Sequence, residues 1–318
     1  MSYAQFGTIA ASDFNSLVGT NPNTTASILN TVWSTGGGLS GYGQTAVPTV
    51  AVGGSVAAAD WANLVNTTAN SASHQATTIT AVTAPATGGT VTYLSAIPTN
   101  LTTIYNARTN CTSQSATTSN TVTTASTWTA NALWTHTVTF ASGDAARYFF
   151  NSGGQIKITM AHSNVTAGIN LEWNQLASNV GTIVQSAITS GATTIAGTSY
   201  NGITKIGGGG NAPTLATNGG YYSLTTANAN SFYQTASTGP AGYTGSYVNV
   251  LIKSNGTQGS NSDAGSVITI YTKWQESANV GLTVGTGSSV TVTAVPSETT
   301  YIGNTWGAIT IAGSVAVV

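Results

Sequence analysis

Few side chains in this 318-residue sequence suit acid-base, nucleophilic or metal chemistry: three histidines, one cysteine and seven carboxylates. His74, His136 and His162 each stand alone, because no other histidine or carboxylate lies three or four residues away in a helical pattern. Zinc ligands usually recur at such short intervals, so the spacing indicates no metal site. His136 and His162 lie on or beside predicted strands, and we interpret them as polar surface residues.

The other reactive residue types are equally scattered. Cys111 is the only cysteine, so no disulfide can form within the chain, and we expect a buried, unreactive thiol. Glycosidases use two neighbouring carboxylates. Glu172, Asp263 and Glu276 are far apart in the sequence, and no pattern brings two of them together. We therefore predict no catalytic, cofactor-binding or metal-binding residue; a polysaccharide hydrolase stays an alternative that the scarcity of carboxylates argues against.

Two short motifs have structural interpretations. The glycine run at Gly207–Asn211 resembles a phosphate-binding loop, but no Lys-Ser or Lys-Thr follows it, so we predict a flexible surface turn. Asp144 precedes Arg147 by three residues, which places both on one helical turn. We interpret this pair as local helix capping and ion pairing. Tyr148, Phe149 and Phe150 follow on the same short helix and point in several directions, so we expect at least two of these aromatics to be buried.

The composition limits which partners the chain can attract. Lys and Arg together number 6 and Asp and Glu 7, so 4% of residues are charged, against about 25% in an ordinary globular domain. Such a surface creates no field that would capture nucleic acid. The formal net charge of -1 leaves little repulsion between copies, and we expect a homo-oligomer held by apolar burial and neutral hydrogen bonds.

The sequence shows no targeting or membrane-spanning signal. The first positively charged residue is Arg108, so a secretory signal peptide with a basic start is not expected. No uninterrupted apolar run approaches the ~18 residues of a membrane helix. We predict no membrane insertion.

An internal repeat organises the first third of the chain. Gly7–Val18 matches Gly54–Val65 at a constant offset of 47 residues, and each copy indicates an extended piece followed by a helix. Asp13 and Asp60 lie near the helix starts, where a carboxylate can bind free amides. The small size of each unit predicts that its aromatic face docks against a partner. A weaker third copy begins at 89–91 and leads into a helix predicted over Leu101–Arg108.

From residue 110 onward, alternation with a period of two predicts mainly strands. The fold class is therefore α+β, mainly β: N-terminal strand-helix repeats in residues 1–110, then a β-sandwich-like region in 111–318 with one or two short helices. The strands at 247–253 and 267–274 should pair as antiparallel neighbours. The predicted strands are 135–140, 155–160, 182–188, 247–253, 267–274, 289–295 and 308–317, and the predicted helices are 143–154, capped near Ser142 or Asp144, and 170–179.

The stretch Asp144–Ile156, with its Ala-Arg-Tyr-Phe-Phe-Asn-Ser-Gly-Gly core, resembles virion structural proteins of large tailed phages, especially those infecting marine cyanobacteria. The likeness extends to Trp173 in the following helix, to Gly41–Gln44 and to the strand that begins at Tyr247. It implies a tail- or fibre-associated structural protein without catalytic residues, located in the virion among other virion proteins. The acidic loop typical of such proteins is reduced to Glu276, so a shared ion site is not carried over.

Three functions follow as hypotheses. The first is a non-enzymatic structural component of a tailed-phage virion, in a tail fibre or tail-attached appendage, with a capsid decoration protein as a variant. The second is a module that binds a receptor or a host cell-surface glycan. Aromatic side chains at Tyr221, Tyr222, Tyr233 and Tyr243 would stack on sugars in that case. The third is the hydrolase already named.

Overall fold

Helices come first in the chain and strands follow. The structure is a computed structural model that describes residues 10–19, 28–89, 91, 95–165, 168–187, 193–216, 219–236, 245–258, 263–277 and 281–318. The helices among these residues are α1 (Ala11–Val18), α2 (Ile28–Trp33), α3 (Ala58–His74), α4 (Ala96–Asn106), α5 (Gly143–Asn151) and α6 (Ile169–Val180). The strands are β1 (Thr118–Thr123), β2 (Asn131–Thr139), β3 (Gln155–His162), β4 (Thr182–Gln185), β5 (Thr193–Ile195), β6 (Thr198–Tyr200), β7 (Ile203–Ile206), β8 (Thr214–Leu215), β9 (Ala229–Thr235), β10 (Tyr247–Ser254), β11 (Val267–Gln275), β12 (Ser288–Val295) and β13 (Thr310–Val317).

The strands form two larger antiparallel sheets and a hairpin. One sheet has the order β1-β12-β3-β4-β7, the other the order β13-β2-β11-β10-β9-β8, and β5 pairs with β6. Residues of β2 and β11 alternate between buried and half-buried along their whole length. The buried residues of both sheets belong to one hydrophobic cluster. The fold is therefore α+β, mainly β and sandwich-like, as predicted.

The predicted pairing of β10 with β11 is confirmed. Tyr247 lies opposite Gln275 and Ser254 opposite Ile268, in an antiparallel register without a bulge. The pairing of β10 with β9 is less regular, because its register shifts between Val250 and Leu251.

The repeated helices α1 and α3 begin in the same way. The backbone N–H of Ala10 donates to the carboxylate of Asp13 at 3.0 Å, and that of Ala57 donates to Asp60 at 2.8 Å. Both alanines have extended backbone, as residues before a helix do. Each aspartate thus binds an amide that the helix leaves free and lies at the positive end of the helix dipole.

The aromatic residues of the two copies pack against each other. Phe14 and Trp61 are both buried, and their ring centroids lie 5.4 Å apart in an edge-to-face contact. Their local conformations match, as the repeat predicts. The partner that each aromatic face needs is the other copy within the same chain, rather than a separate molecule.

The extended halves of the repeats do not form a sheet. No strand lies in the described residues before Thr118, and Gly7–Ile9 lie outside them. Asparagine side chains hold the extended backbone instead, each accepting from an N–H and donating to the C=O of the same residue. These three asparagine clamps join Asn15 to Val50 (2.8 and 2.8 Å), Asn30 to Val47 (2.9 and 2.9 Å) and Asn100 to Thr80 (3.0 and 2.8 Å).

Helix α4 begins earlier than predicted. It starts at Ala96 instead of Leu101, and Pro98 occupies its first turn, where a missing N–H costs no helical hydrogen bond. The proposed start of a third repeat at 89–91 lies partly outside the described residues. Strands β1 and β5 to β9 have no counterpart in the prediction.

The hydrophobic core continues across residue 110. The same cluster contains Phe14 and Leu64 from the helices and Trp134 and Val290 from the sheets. The division into 1–110 and 111–318 stays a prediction about chain organisation.

Candidate functional site

Helix α5 is built as predicted for the motif that carries the family resemblance. The hydroxyl of Ser142 accepts from the N–H of Ala145 at 3.0 Å and caps the helix. Phe149 and Phe150 are fully buried, and Phe150 stacks on Tyr221 with a centroid distance of 4.3 Å. The expectation that at least two of the motif's three aromatics are buried is confirmed.

Arg147 is the centre of this motif and is fully buried. It pairs with Asp144 at 3.0 Å, as predicted, and also with Asp263 at 3.4 Å. Its Nη1 donates to the carbonyl oxygens of Thr35 at 2.7 Å and Ser40 at 2.8 Å. The interpretation of Asp144 and Arg147 as a purely local ion pair was therefore incomplete, because the guanidinium also bonds the loop after α2 to α5.

Asn151 extends the same network by one helical turn. Its Nδ2 donates to the carbonyl oxygens of Ser40 at 2.8 Å and Gly41 at 3.1 Å, and its Oδ1 accepts from the Tyr222 hydroxyl at 2.7 Å. We call Arg147, Asp144, Asp263 and Asn151 the arginine centre. The charged groups and the amide of the arginine centre bond to other groups of the protein, so the motif stabilises the contact between α5 and the loop after α2.

Two carboxylates that are far apart in the sequence lie near each other in the fold. Glu172 on α6 and Glu276 after β11 are both buried, and the Trp173 indole N–H donates to Glu276 Oε2 at 3.0 Å. Burial, and then the nearby charge of Glu276, raise the pKa of Glu172 to about 7. The sequence offered no signal for this proximity, because the two residues are distant in the chain and belong to different elements.

Glu172 keeps a proton near neutral pH, as a general acid does, but neither carboxylate of the pair is accessible to a substrate. A carboxyl that keeps its proton near neutral pH can donate it to a leaving group. Glu172 is only 2% exposed and Glu276 only 6%, and Trp173 beside them stacks on Trp274 at 5.1 Å. A sugar ring cannot contact both groups in this structure, so the pair contributes to the interior.

His162 lies inside an ordered hydrogen-bond chain, which corrects its interpretation as a surface residue. Its Nδ1 faces the Ser288 hydroxyl at 3.0 Å, and its Nε2 faces Asn170 Oδ1 at 3.2 Å. The Gly285 N–H donates to the same Asn170 oxygen at 2.7 Å, which identifies that atom as the acceptor. The histidine therefore donates from Nε2 and accepts at Nδ1 from Ser288, which in turn accepts from the Trp128 indole N–H at 3.3 Å.

This serine, histidine and asparagine set is similar to a Ser-His-Asp hydrolase triad, but an amide stands in place of the carboxylate. Ser288 is fully buried in β12, and His162 is 1% exposed. A substrate carbonyl cannot reach Ser288, and its hydroxyl is already engaged on both sides. Burial lowers the pKa of His162, which keeps the ring neutral. The set stabilises the junction of β3, β12 and α6.

His136 is also buried, so its interpretation as a surface residue is wrong. It lies in phase with Trp134 and Val138 on the inner face of β2, and this period of two was the signal for its burial. Among the described residues, neither ring nitrogen of His136 has a hydrogen-bond partner, and burial lowers the His136 pKa to about 4. Thr272 Oγ1 and Trp274 Nε1 on the neighbouring β11 are unpaired as well. We call His136, Thr272 and Trp274 the unpaired inter-sheet groups.

His74 and Cys111 have structural positions. His74 Nε2 lies 3.0 Å from the carbonyl oxygen of Ser152, and burial lowers the histidine pKa to about 4. The Cys111 thiol contacts the carbonyl oxygen of Ser113 at 2.7 Å, and burial raises its pKa to about 11. The predicted burial of Cys111 is confirmed. A thiol with a raised pKa carries little thiolate, which supports the prediction that it is unreactive.

The glycine run lies in a surface turn, as predicted, and the flexibility expected of it stays a prediction. Gly207 to Gly210 are exposed, and the turn is fixed by the Gly209 N–H, which donates to Asn179 at 3.0 Å, and by Lys205, which donates to the Gly209 carbonyl at 3.1 Å. In the part of the chain that the structure describes, no three His, Cys, Asp or Glu side chains gather to hold a metal ion. No described helix has the length and hydropathy of a membrane span.

The aromatic residues considered for sugar stacking divide into two groups. Tyr221 is fully buried and Tyr222 is half-buried with its hydroxyl bound to Gly38 and Asn151, so both belong to the core and not to a glycan platform. Tyr243 lies outside the described residues. Tyr233 is 36% exposed and its ring lies 5.0 Å from that of Tyr247. Of the four tyrosines considered, Tyr233 alone is exposed among the described residues.

Comparison with known proteins adds no relative: no family model, no curated protein and no solved structure matches this chain.

Proposed function

We propose that this chain is a non-enzymatic structural protein of a tailed-phage virion, in a tail fibre or tail-attached appendage, where it contacts its own copies and other virion proteins through neutral surfaces. The resemblance of Asp144–Ile156 to virion structural proteins supports the phage context. The arrangement of charges supports the structural role.

The proposal rests on the positions of the few charged side chains in the fold. Arg147 and Asp263 are buried against each other, and Glu172 and Glu276 are buried beside Trp173. Most outward positions of the sheets hold neutral residues such as Thr121 and Thr291, whose hydroxyls bond to each other at 2.7 Å across β1 and β12. Lys253 and Lys273 are half-buried exceptions on β10 and β11. Such surfaces fit extended protein contacts better than the capture of charged ligands.

The test is the location of the protein in a particle. Phage whose genome carries this sequence should be purified by density gradient and labelled with gold-conjugated antibody against the chain. We expect label on the tail or its appendages and peptides of this protein in the particle proteome. Label restricted to the capsid would favour the decoration variant. Absence from purified particles, with presence in the infected-cell lysate, would contradict the proposal.

Glycan binding is a second candidate because exposed Tyr233 and half-buried Tyr247 form an aromatic pair on neighbouring strands. Aromatic faces stack on sugars. A glycan array probed with the wild type and with Tyr233→Ala tests it. Binding that the substitution reduces at least tenfold would support this candidate, and binding unaffected by it would exclude this surface.

A further inference from the structure

The two sheets end in edge strands of different kinds. At one side of the sandwich, β8 has two residues, and β7 has four and carries Lys205. Short strands and lysines are devices that prevent an edge from pairing with another chain. At the other side, β13 has eight residues, Thr-Ile-Ala-Gly-Ser-Val-Ala-Val, without charge or proline. This edge has none of that protection.

The free backbone groups of β13 follow from its pairing with β2. Val318 and Asn131 exchange two hydrogen bonds, of 2.9 and 3.3 Å. Such pairs alternate along an antiparallel ladder, so every second residue back from Val318 also bonds to β2. The residues between them direct their N–H and C=O groups away from β2, and none of these groups bonds to another described residue. They are Ile311, Gly313, Val315 and Val317.

We propose that β13 pairs antiparallel with β13 of a second copy, so that the six-stranded sheets of two subunits join into one continuous sheet. A twofold axis at Ser314 places Ile311 opposite the partner subunit's Val317 and Gly313 opposite the partner subunit's Val315. In this register every outward N–H and C=O of the strand finds its counterpart, which gives ~eight main-chain hydrogen bonds.

The side chains of β13 identify a second copy as the occupant. In a pairing about a twofold axis, residues at equal distances from the axis lie opposite each other, so their side chains must be compatible. Ala312 and Ala316 lie at equal distances on either side of Ser314. Ala312 meets the partner subunit's Ala316, and Ser314 meets the partner subunit's Ser314. On the other face, Ile311 meets the partner's Val317, an apolar pair of the kind that stabilises sheets. No like charges oppose each other.

The inference rests on the proposed function, because it names the contact by which the structural subunit meets its own copy. The proposed contact is more specific than the neutral surfaces of the proposed function, because it involves only β13 and only one register between the two strands. A test can therefore fail for this strand while self-association and location in the particle remain intact.

A pair of charge variants tests the twofold contact. Ser314 is exposed, and its side chain makes no hydrogen bond that the structure gives. Ser314→Lys or Ser314→Asp places two like charges opposite each other at the axis, and each should raise the dimer dissociation constant at least about tenfold at low salt. An equimolar mixture of the two variants should associate again, because lysine then opposes aspartate. Analytical ultracentrifugation measures all three samples.

Ser119→Lys is the matched control. Ser119 is an exposed serine on β1, the edge strand of the other sheet at the same side. We expect this variant to associate as the wild type does, with the same thermal unfolding as Ser314→Lys. If Ser119→Lys dissociates and Ser314→Lys does not, the contact lies on β1 and the inference is overturned. A wild type that is monomeric at all concentrations overturns it too, and also removes self-association from the proposed function.

Cysteine substitution tests the register. Ser314→Cys should form a disulfide between subunits, because residues opposite each other in an antiparallel pair have Cα atoms within the range that a disulfide spans. Ala312→Cys alone and Ala316→Cys alone should not, whereas a mixture of the two should. The native Cys111 is buried and does not interfere. Equal crosslinking at all three positions would contradict the register.

Discussion

The arginine centre and the unpaired inter-sheet groups are both buried, but they differ in how their polar atoms are satisfied. Arg147 bonds to two carboxylates and two carbonyl oxygens, and Asn151 uses both ends of its amide. His136 bonds through neither nitrogen, and Thr272 and Trp274 each leave a polar atom unpaired. One region fixes the chain by completed bonds, while the other tolerates polar atoms only in their neutral form. The difference predicts where mutation and where pH act on stability.

Acid should produce the largest effect. The pKa values of His74 and His136 are lowered from 6.5 to about 4, so between these values the unfolded chain binds protons that the folded chain does not. Stability is present above pH 6.5 and falls as pH decreases toward 4, by roughly 3 kcal/mol per histidine. Urea unfolding at pH 7 and pH 4.5 measures the loss. Glu172 titrates in the opposite direction over this range, so the comparison is made in a Glu172→Gln background. There His136→Leu should remove about half of the loss, and an unchanged loss would refute the assignment.

Removal of the Arg147 side chain should be nearly as severe. Arg147→Met leaves buried Asp263 and the carbonyls of Thr35 and Ser40 without their donor, at a cost of about 3 to 5 kcal/mol. Lys253→Met removes the same charge from a half-exposed position and should cost less than about 1 kcal/mol. Denaturant unfolding at pH 7 compares the two, and equal losses would mean that the arginine centre is no more important than a surface charge.

The apolar support beneath the arginine centre gives the next test. Phe150→Ala removes a fully buried ring that stacks on Tyr221, and should cost about 3 to 5 kcal/mol or prevent folding. Tyr301→Ala, at a 39% exposed aromatic, is the control and should cost little. Wild-type stability of Phe150→Ala with loss of a binding activity would identify the motif as a ligand site.

Glu172 should show the opposite pH dependence from the histidines. Its pKa is raised from 4.5 to about 7, so its protonated form stabilises the fold below pH 4.5 and this contribution is lost as pH rises through 7. Glu172→Gln stays neutral and should exceed the wild type by roughly 3 kcal/mol at pH 8 but not at pH 4.5. Glu298→Gln, at an exposed carboxylate, provides the control for the chemical change. Equal effects at both pH values would exclude proton linkage.

The smallest effect is expected from salt. Contacts made by neutral strands are insensitive to screening, so the oligomer should persist from low ionic strength to roughly 0.5 M sodium chloride. Light scattering across this range checks the prediction. Dissociation at the higher salt would show that ion pairs hold the subunits together, in spite of the scarcity of charges.

Local patterns predicted the parts of this fold that neighbours in sequence determine. The Ser142 cap, the burial of Phe149 and Phe150, and the pairing of β10 with β11 all follow from short-range signals. The proximity of Glu172 and Glu276 does not, because it depends on how α6 packs against the end of β11. The burial of His136 was readable from its phase with Trp134, but the residue type suggested a surface position.

The asparagine clamps have a consequence for sequence variation. Asn15, Asn30 and Asn100 bind main-chain atoms, so the extended segments they hold can exchange side chains without losing the bonds. Proline is the exception at Val47, Val50 and Thr80, since each supplies an N–H. The asparagines themselves have no substitute of the same length: aspartate lacks the donor, alanine lacks both groups, and glutamine is one methylene longer. In homologues, we expect Asn15, Asn30 and Asn100 to be conserved and the side chains of the extended segments that they hold to vary.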